Sequence, residues 1–150
     1  MLLAMFSDFP ALNARISPAW TFQEMFDKAD FVVIAEVVST KETEERNTLQ
    51  DIEPHVAVIG ILTDFKSRLV LKGSHSLATF QLHHYRFRSE DDKFAANGPD
   101  LVDLSGYHQI FLLFLVKEKD GKYAPVTGQT DPASLSVLEL KASVVDAPGK

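Results

Sequence analysis

Beyond residue 30 the apolar side chains stop following a helical period. They come instead in strand-length runs, each closed by turn chemistry, and this pattern restricts the chain to a mainly β fold. Residues 31–40 open with Phe31-Val32-Val33-Ile34-Ala35, where the density of β-branched side chains marks a strand buried on both faces over its first half. Residues 56–62 and 65–71 read as two strands or one long bent strand, with Gly60 placed to accommodate a bulge or sharp coil. Lys72-Gly73-Ser74 closes that unit as a turn. Residues 77–88 form the next strand, and 107–117, the most apolar, is expected to be central. Asp120-Gly121 predicts a tight hairpin into 122–127, and 135–140 reads as a short strand or a helix start.

Only residues 21–30 carry a helical signature. Thr21 can cap, Glu24 stands three positions on as in a capping box, and Phe22, Met25, Phe26 and Ala29 share an apolar face expected to pack across an open end of a sheet. Residues 1–20 show no period and contain Pro10 and Pro18, so they read as an arm. Residues 41–47 hold three glutamates and predict a solvated loop reaching as far as Pro54; 90–106 predict a second long polar loop, and 141–150 a frayed tail. The chain reads as one domain, 1–150, with its core at 21–140. A helix followed by about five strands, with a long connection before the fourth, is the element order of a five-stranded OB-like barrel, closed or partly open. The expected core is Phe31, Val33, Val37, Phe65, Leu69, Leu71, Phe80, Leu82, Ile110, Leu112 and Phe114.

Composition removes several classes of function. The 150 residues contain no cysteine, which excludes disulfide scaffolds, thiol nucleophiles and cysteine-type zinc sites. The net charge of -6 argues against broad nucleic-acid binding, whose affinity rests on Lys and Arg displacing counterions. The longest apolar run, 110–116, is too short to span a bilayer as a helix. The apolar start of the chain is preceded by no base and interrupted by Ser7, Asp8 and Pro10, so no standard secretory signal is present as written. A removed or shortened leader would place the protein outside the cytoplasm; otherwise it is expected in the cytoplasm.

Candidate chemistry is sparse. His83 and His84 are adjacent on a strand and point to opposite faces, and His55, His75 and His108 show no ligand spacing, so no metal site is assigned. Most carboxylates fall in the expected loops, where solvation keeps them from acid–base work. Glu36 lies inside an apolar strand and is expected to face water, the alternative being a buried partner such as Arg68 or Arg86. No G-x-S-x-G motif and no phosphate-cradling glycine loop occur. No catalytic, cofactor or metal residue is therefore assigned, and an enzyme is disfavoured.

One stretch is both basic and aromatic: His83-His84-Tyr85-Arg86-Phe87-Arg88. Alternation puts Gln81, His83, Tyr85 and Phe87 on one face, with Leu82, His84, Arg86 and Arg88 on the other. On an OB barrel, His83, Tyr85, Arg86, Phe87 and Arg88 could stack bases and hold phosphates of a single strand. Glu90-Asp91-Asp92 follows at once and would repel them.

Three blocks in order resemble the netrin-like OB domains of the tissue-inhibitor-of-metalloproteinase type. Phe26-Asp27-Lys28-Ala29-Asp30-Phe31-Val32-Val33-Ile34-Ala35-Glu36-Val37 is similar to the opening in which an Ala-Asp pair leads into strand one. Thr63-Asp64-Phe65-Lys66-Ser67-Arg68-Leu69-Val70-Leu71-Lys72-Gly73 resembles a second strand closing on a Lys-Gly turn, and residues 109–114 through Asp120-Gly121-Lys122-Tyr123 resemble the late hairpin. The resemblance implies the barrel, a non-catalytic role and an extracytoplasmic bacterial setting; the barrel reading together with the missing catalytic motifs makes a binding module for a protein partner, with peptidases among the candidates, the expected function. The animal inhibitors use an N-terminal cysteine and disulfides, both absent here, so their inhibitory residues have no counterpart in this chain.

Overall fold

The protein is described by a computed structural model covering residues 20–49, 55–88, 101, 104, 109–129, 131 and 135–141. The expected arm, nearly all of the connection around 89–106, His108 and the expected tail past 141 lie outside the described residues.

Helix α1, Phe22–Lys28, begins as its sequence predicts. Thr21 Oγ1 accepts from the Glu24 amide at 3.2 Å, and the Glu24 carboxylate accepts from the Thr21 amide at 2.8 Å. At the other end the Lys72 ammonium donates to the carbonyls of Phe26 and Asp27, two acceptors the helix itself leaves unmet. Met25 and Ala29 are buried, whereas Phe22 and Phe26, expected on the same buried face, are exposed.

Six strands follow: β1 Phe31–Leu49, β2 Val56–Lys72, β3 Thr79–Phe87, β4 Ile110–Lys117, β5 Tyr123–Pro125 and β6 Val137–Glu139. They form one mixed sheet in the order β1-β2-β3-β5-β4-β6, and β1 also pairs with β4, which bends the sheet into a partial ring. Every pairing is antiparallel except β3–β5, which meet in parallel at Leu82↔Tyr123. The Asp120-Gly121 hairpin forms as expected, with Gly121 at φ 90 and the Glu118 amide donating to the Lys122 carbonyl at 2.8 Å. β6 is held by Asp131, whose buried carboxylate accepts from the amides of Ser136 at 2.9 Å and Val137 at 3.0 Å and from the Thr127 and Ser136 hydroxyls.

One correction concerns local structure. Residues 41–47, expected as a loop, continue β1 through Leu49, because β2 offers Val56, Val58, Ile59 and Ile61 as a ladder and apolar support along that length. Tertiary pairing here overrides a charged local composition. The 56–71 region is one long strand, one of the two readings left open for it.

The main core lies inside the ring. Phe31, Val33, Ala35 and Val37 of β1 meet Phe65, Phe80, Leu82, Phe111, Leu113 and Leu115. Phe65 stacks on Phe80 at 5.4 Å between centroids, and Phe31 meets Phe80 edge-on at 5.3 Å. A second cluster forms on the opposite face of β1 and β4, where Met25 and Ala29 of α1 cover Val32 and Phe114. The helix thus covers part of the sheet's second face and not an open end.

Leu69, Leu71 and Ile110, expected in the core, are exposed, and Leu112 is half-buried on the second face. The cause in β2 is a change of register. Ala35 pairs with Ser67 but Ile34 pairs with Leu69, so Arg68 is an extra residue that turns Leu69 and Val70 over, and Leu71 is a second extra residue between Val70 and Lys72. Val70 takes the inward position that Leu69 was expected to hold, packing against the main core. Ile110 pairs with Glu36 and shares its outward face. The two positions should therefore respond differently to truncation. Phe65→Ala is expected to cost about 3–5 kcal/mol. Leu69→Ala, at 54% exposure, should stay within about 0.5 kcal/mol. Urea unfolding of both variants tests this, and equal losses would refute the register assignment.

Candidate functional site

The face of β3 turned away from the core carries Gln81, His83, Tyr85 and Phe87, as alternation predicts, while Phe80, Leu82 and His84 point inward. His84 is buried, with Nε2 at 2.9 Å from Thr63 Oγ1. The outward residues are gathered with groups that the sequence alone does not single out.

His83 lies between two carboxylates: Nε2 is 2.8 Å from Glu45 Oε2, and Nδ1 is 3.1 Å from Glu118 Oε2. Carboxylates only accept, so both contacts are hydrogen bonds when the ring carries both protons. The Tyr85 hydroxyl donates to the other Glu45 oxygen at 2.6 Å, and the Gln129 amide donates to Glu118 at 2.9 Å. The Tyr85 amide in turn donates to the Gln129 carbonyl at 3.0 Å. A continuous strap, Gln129–Glu118–His83–Glu45–Tyr85, thus crosses from the β4–β5 hairpin over β3 to β1. It reinforces the seam where β3 and β5 share the Leu82↔Tyr123 pairing.

Gly60 makes this crossing possible. Register between β1 and β2 jumps from Glu42↔Ile61 to Arg46↔Ile59, so residues 43–45 bulge over Gly60. The expected irregularity therefore lies in the strand facing the glycine. A Cβ at residue 60 would stand 2.6 Å from Thr43 Oγ1, 2.8 Å from Glu45 Oε2 and 2.9 Å from Glu45 Cβ. The missing side chain is the space through which Glu45 reaches His83 and Tyr85.

The remaining members of the basic-aromatic stretch are placed as follows. Arg86 forms an ion pair with Glu42, Phe87 packs beside Val56, Val58 and Tyr85, and Arg88 is exposed at the end of β3. Glu36 is paired with Arg68 on the second face, one of the two partners considered for it. Among the described residues no group of three or more His, Asp or Glu side chains is arranged to hold a metal ion. Glu45, Glu118 and Gln129 escape sequence reasoning because 45 sits in an apparent loop and all three lie far from residue 83 along the chain. The one available signal is Gly60 in the middle of an apolar strand, which marks a close approach.

A different surface lies on the second face, starting where Leu138 and Leu112 pack against the cluster under α1. Leu138 pairs with Leu112, Leu112 with Ile34, and Ile34 with Leu69, giving an apolar row across β6, β4, β1 and β2. Leu69 is the most open of the four, and Val38, Ile110 and Leu140 are exposed as well. Phe22, 63% exposed, continues the apolar surface onto α1 through its contact with Phe114.

No known family matches this chain, and no curated protein or solved structure does.

The strap makes two predictions. Gly→Ala in an ordinary strand is worth roughly 0.5–1 kcal/mol of stability. Gly60→Ala should instead destabilise by about 1–3 kcal/mol, because the added methyl overlaps the rigid Glu45 Cβ. That loss should shrink in a Glu45→Gly background, which removes both the Cβ and the carboxylate that the new methyl meets; equal losses in both backgrounds would refute the crossing.

Burial first, then the hydrogen bond to Glu45, pushes the Tyr85 phenol above its ordinary value. Since the raised value belongs to the folded state, the fold favours the neutral phenol. That contribution is full below the ordinary tyrosine range near ~10 and is lost as pH rises through the higher folded value. Alkaline titration by phenolate absorbance should show Tyr85→Phe removing a late-ionising group. Loss of an ordinary tyrosine instead would count against the strap.

Proposed function

We propose that the protein is a non-catalytic binding module, an OB-type barrel of netrin-like character, that recognises a protein partner; peptidases are among the candidates. The observation that carries this reading is the register-aligned apolar row Leu138–Leu112–Ile34–Leu69, left partly open to solvent beside the exposed Phe22. Contiguous open apolar surface is characteristic of interaction sites, whereas scattered apolar residues are ordinary. The strand order supports the barrel part of the reading. β1-β2-β3-β5-β4 with a return from β4 to β1, and a parallel β3–β5 contact, is the connectivity expected of a five-stranded barrel with one long connection before the fourth strand.

A non-catalytic role is supported by how the titratable groups are used. His83 meets a carboxylate at each nitrogen, and one Glu45 oxygen accepts from the Tyr85 hydroxyl while the other lies against His83. Groups tied to one another in this way brace the fold instead of waiting for substrate. The single-stranded nucleic-acid reading would rest on Phe87 and Arg88, since Arg86 is paired with Glu42 and Tyr85 with Glu45.

Affinity capture on the immobilised full chain, followed by calorimetry with the purified captured protein, tests the main reading. A saturable binary complex is the expected result. Capture of nothing above a bait-free control would overturn it, as would salt-sensitive binding of labelled single-stranded oligonucleotides in its place.

A further inference from the structure

The apolar row does not lie in neutral surroundings. Residues 66–72 of β2 contain Lys66, Arg68 and Lys72 and no acid, in a chain whose net charge is -6. Glu36 stands on the same face and is committed to Arg68. Lys66 is exposed and stands directly across the β1–β2 ladder from the same Glu36, so three bases share one acid here. Lys72 holds the end of α1 and lies over the Phe26 ring at 5.3 Å, so the helix and β2 present one continuous surface. The open end of the row, at Leu69, is therefore the end with the bases.

We propose that this surface docks a protein segment whose contact side chains are leucine-like and flanked by carboxylates. The inference rests on the protein-binding reading above and names the chemistry of the partner. Apolar contact with Leu69, Ile34 and Leu112 supplies affinity, and carboxylates facing Lys66 and the Arg68 edge supply orientation and encounter rate. Two other occupants fit less well. A second copy packed Leu69 to Leu69 about a two-fold axis would bring the two sets of bases together. An anionic membrane surface is usually held by about 4–8 clustered bases, more than this strand offers.

A random-peptide display selection on the immobilised full chain, with fluorescence anisotropy of the recovered peptides, tests the proposal. Recovered peptides should be enriched in Leu, Ile or Phe together with Asp or Glu. Leu69→Asp should weaken their binding about tenfold or more. Lys66→Glu should weaken it at low salt, with the difference fading as salt rises. Both substituted side chains are exposed, and circular dichroism with thermal melting confirms that the fold is kept.

Selection without this enrichment, or peptides indifferent to both substitutions, overturns the proposal. So does binding to phosphatidylglycerol vesicles in place of peptides, or a dimer in sedimentation that Leu69→Asp abolishes. A native partner captured as above that ignores both substitutions would sink this inference and leave the protein-binding reading intact. Acidic-apolar peptides that bind Leu69-dependently, with no native partner captured, would sink that reading and leave the surface chemistry standing.

Discussion

Strand β1 is paired along both edges over residues 32–36, to β2 on one side and β4 on the other, and the rest of the structure depends on that double pairing. Once both edges are occupied, alternation leaves each side chain with one of two faces. Phe31, Val33, Ala35 and Val37 enter the main core, while Val32 goes under α1 and Ile34 and Glu36 stay on the second face. The central row of the second face is therefore a consequence of the core. No substitution of the inward set that shifts β1 by one residue could preserve Leu112–Ile34–Leu69 alignment.

A ring built this way has a weak seam where the parallel β3–β5 contact is short. Side chains make up for it. The strap from Gln129 through Glu118 and His83 to Glu45 and Tyr85 ties four parts of the chain together across that seam and across the bulge over Gly60. Charge-assisted hydrogen bonds are stronger than neutral ones, and these partners are partly withdrawn from water, so screening weakens them less than an exposed ion pair. The strap also explains why the basic-aromatic stretch at 83–88 looks more available in sequence than in space. Its polar members Tyr85 and Arg86 are met by acids from β1, Glu45 and Glu42, and His83 by Glu45 and the Glu118 that follows β4.

Much of the fold was legible because its signals are local. The α1 capping box, the Asp120-Gly121 hairpin and the β-branched density at 31–38 each act within a few residues, and each appears where local chemistry places it. The placement of Leu69 was not legible, since one extra residue at Arg68 reverses the faces of Leu69 and Val70 without altering local composition. The charged 41–47 stretch misled for a related reason. Its strand conformation is imposed by β2, and nothing in its own residues asks for it.

By itself the amino-acid sequence determined a mainly β chain with one capped helix, a cysteine-free interior rich in phenylalanine, and the burial of part of the core, including Phe31, Phe65, Phe80 and Leu82. Backbone propensity and hydrophobic pattern suffice for those because they are set by neighbours a few positions away. Only the tertiary structure decided that Glu45 and Glu118 flank His83, that Gly60 is a gap for a crossing side chain, and that four apolar residues align across four strands. Those arrangements join residues tens of positions apart, and their geometry depends on strand register, which a single bulge can change.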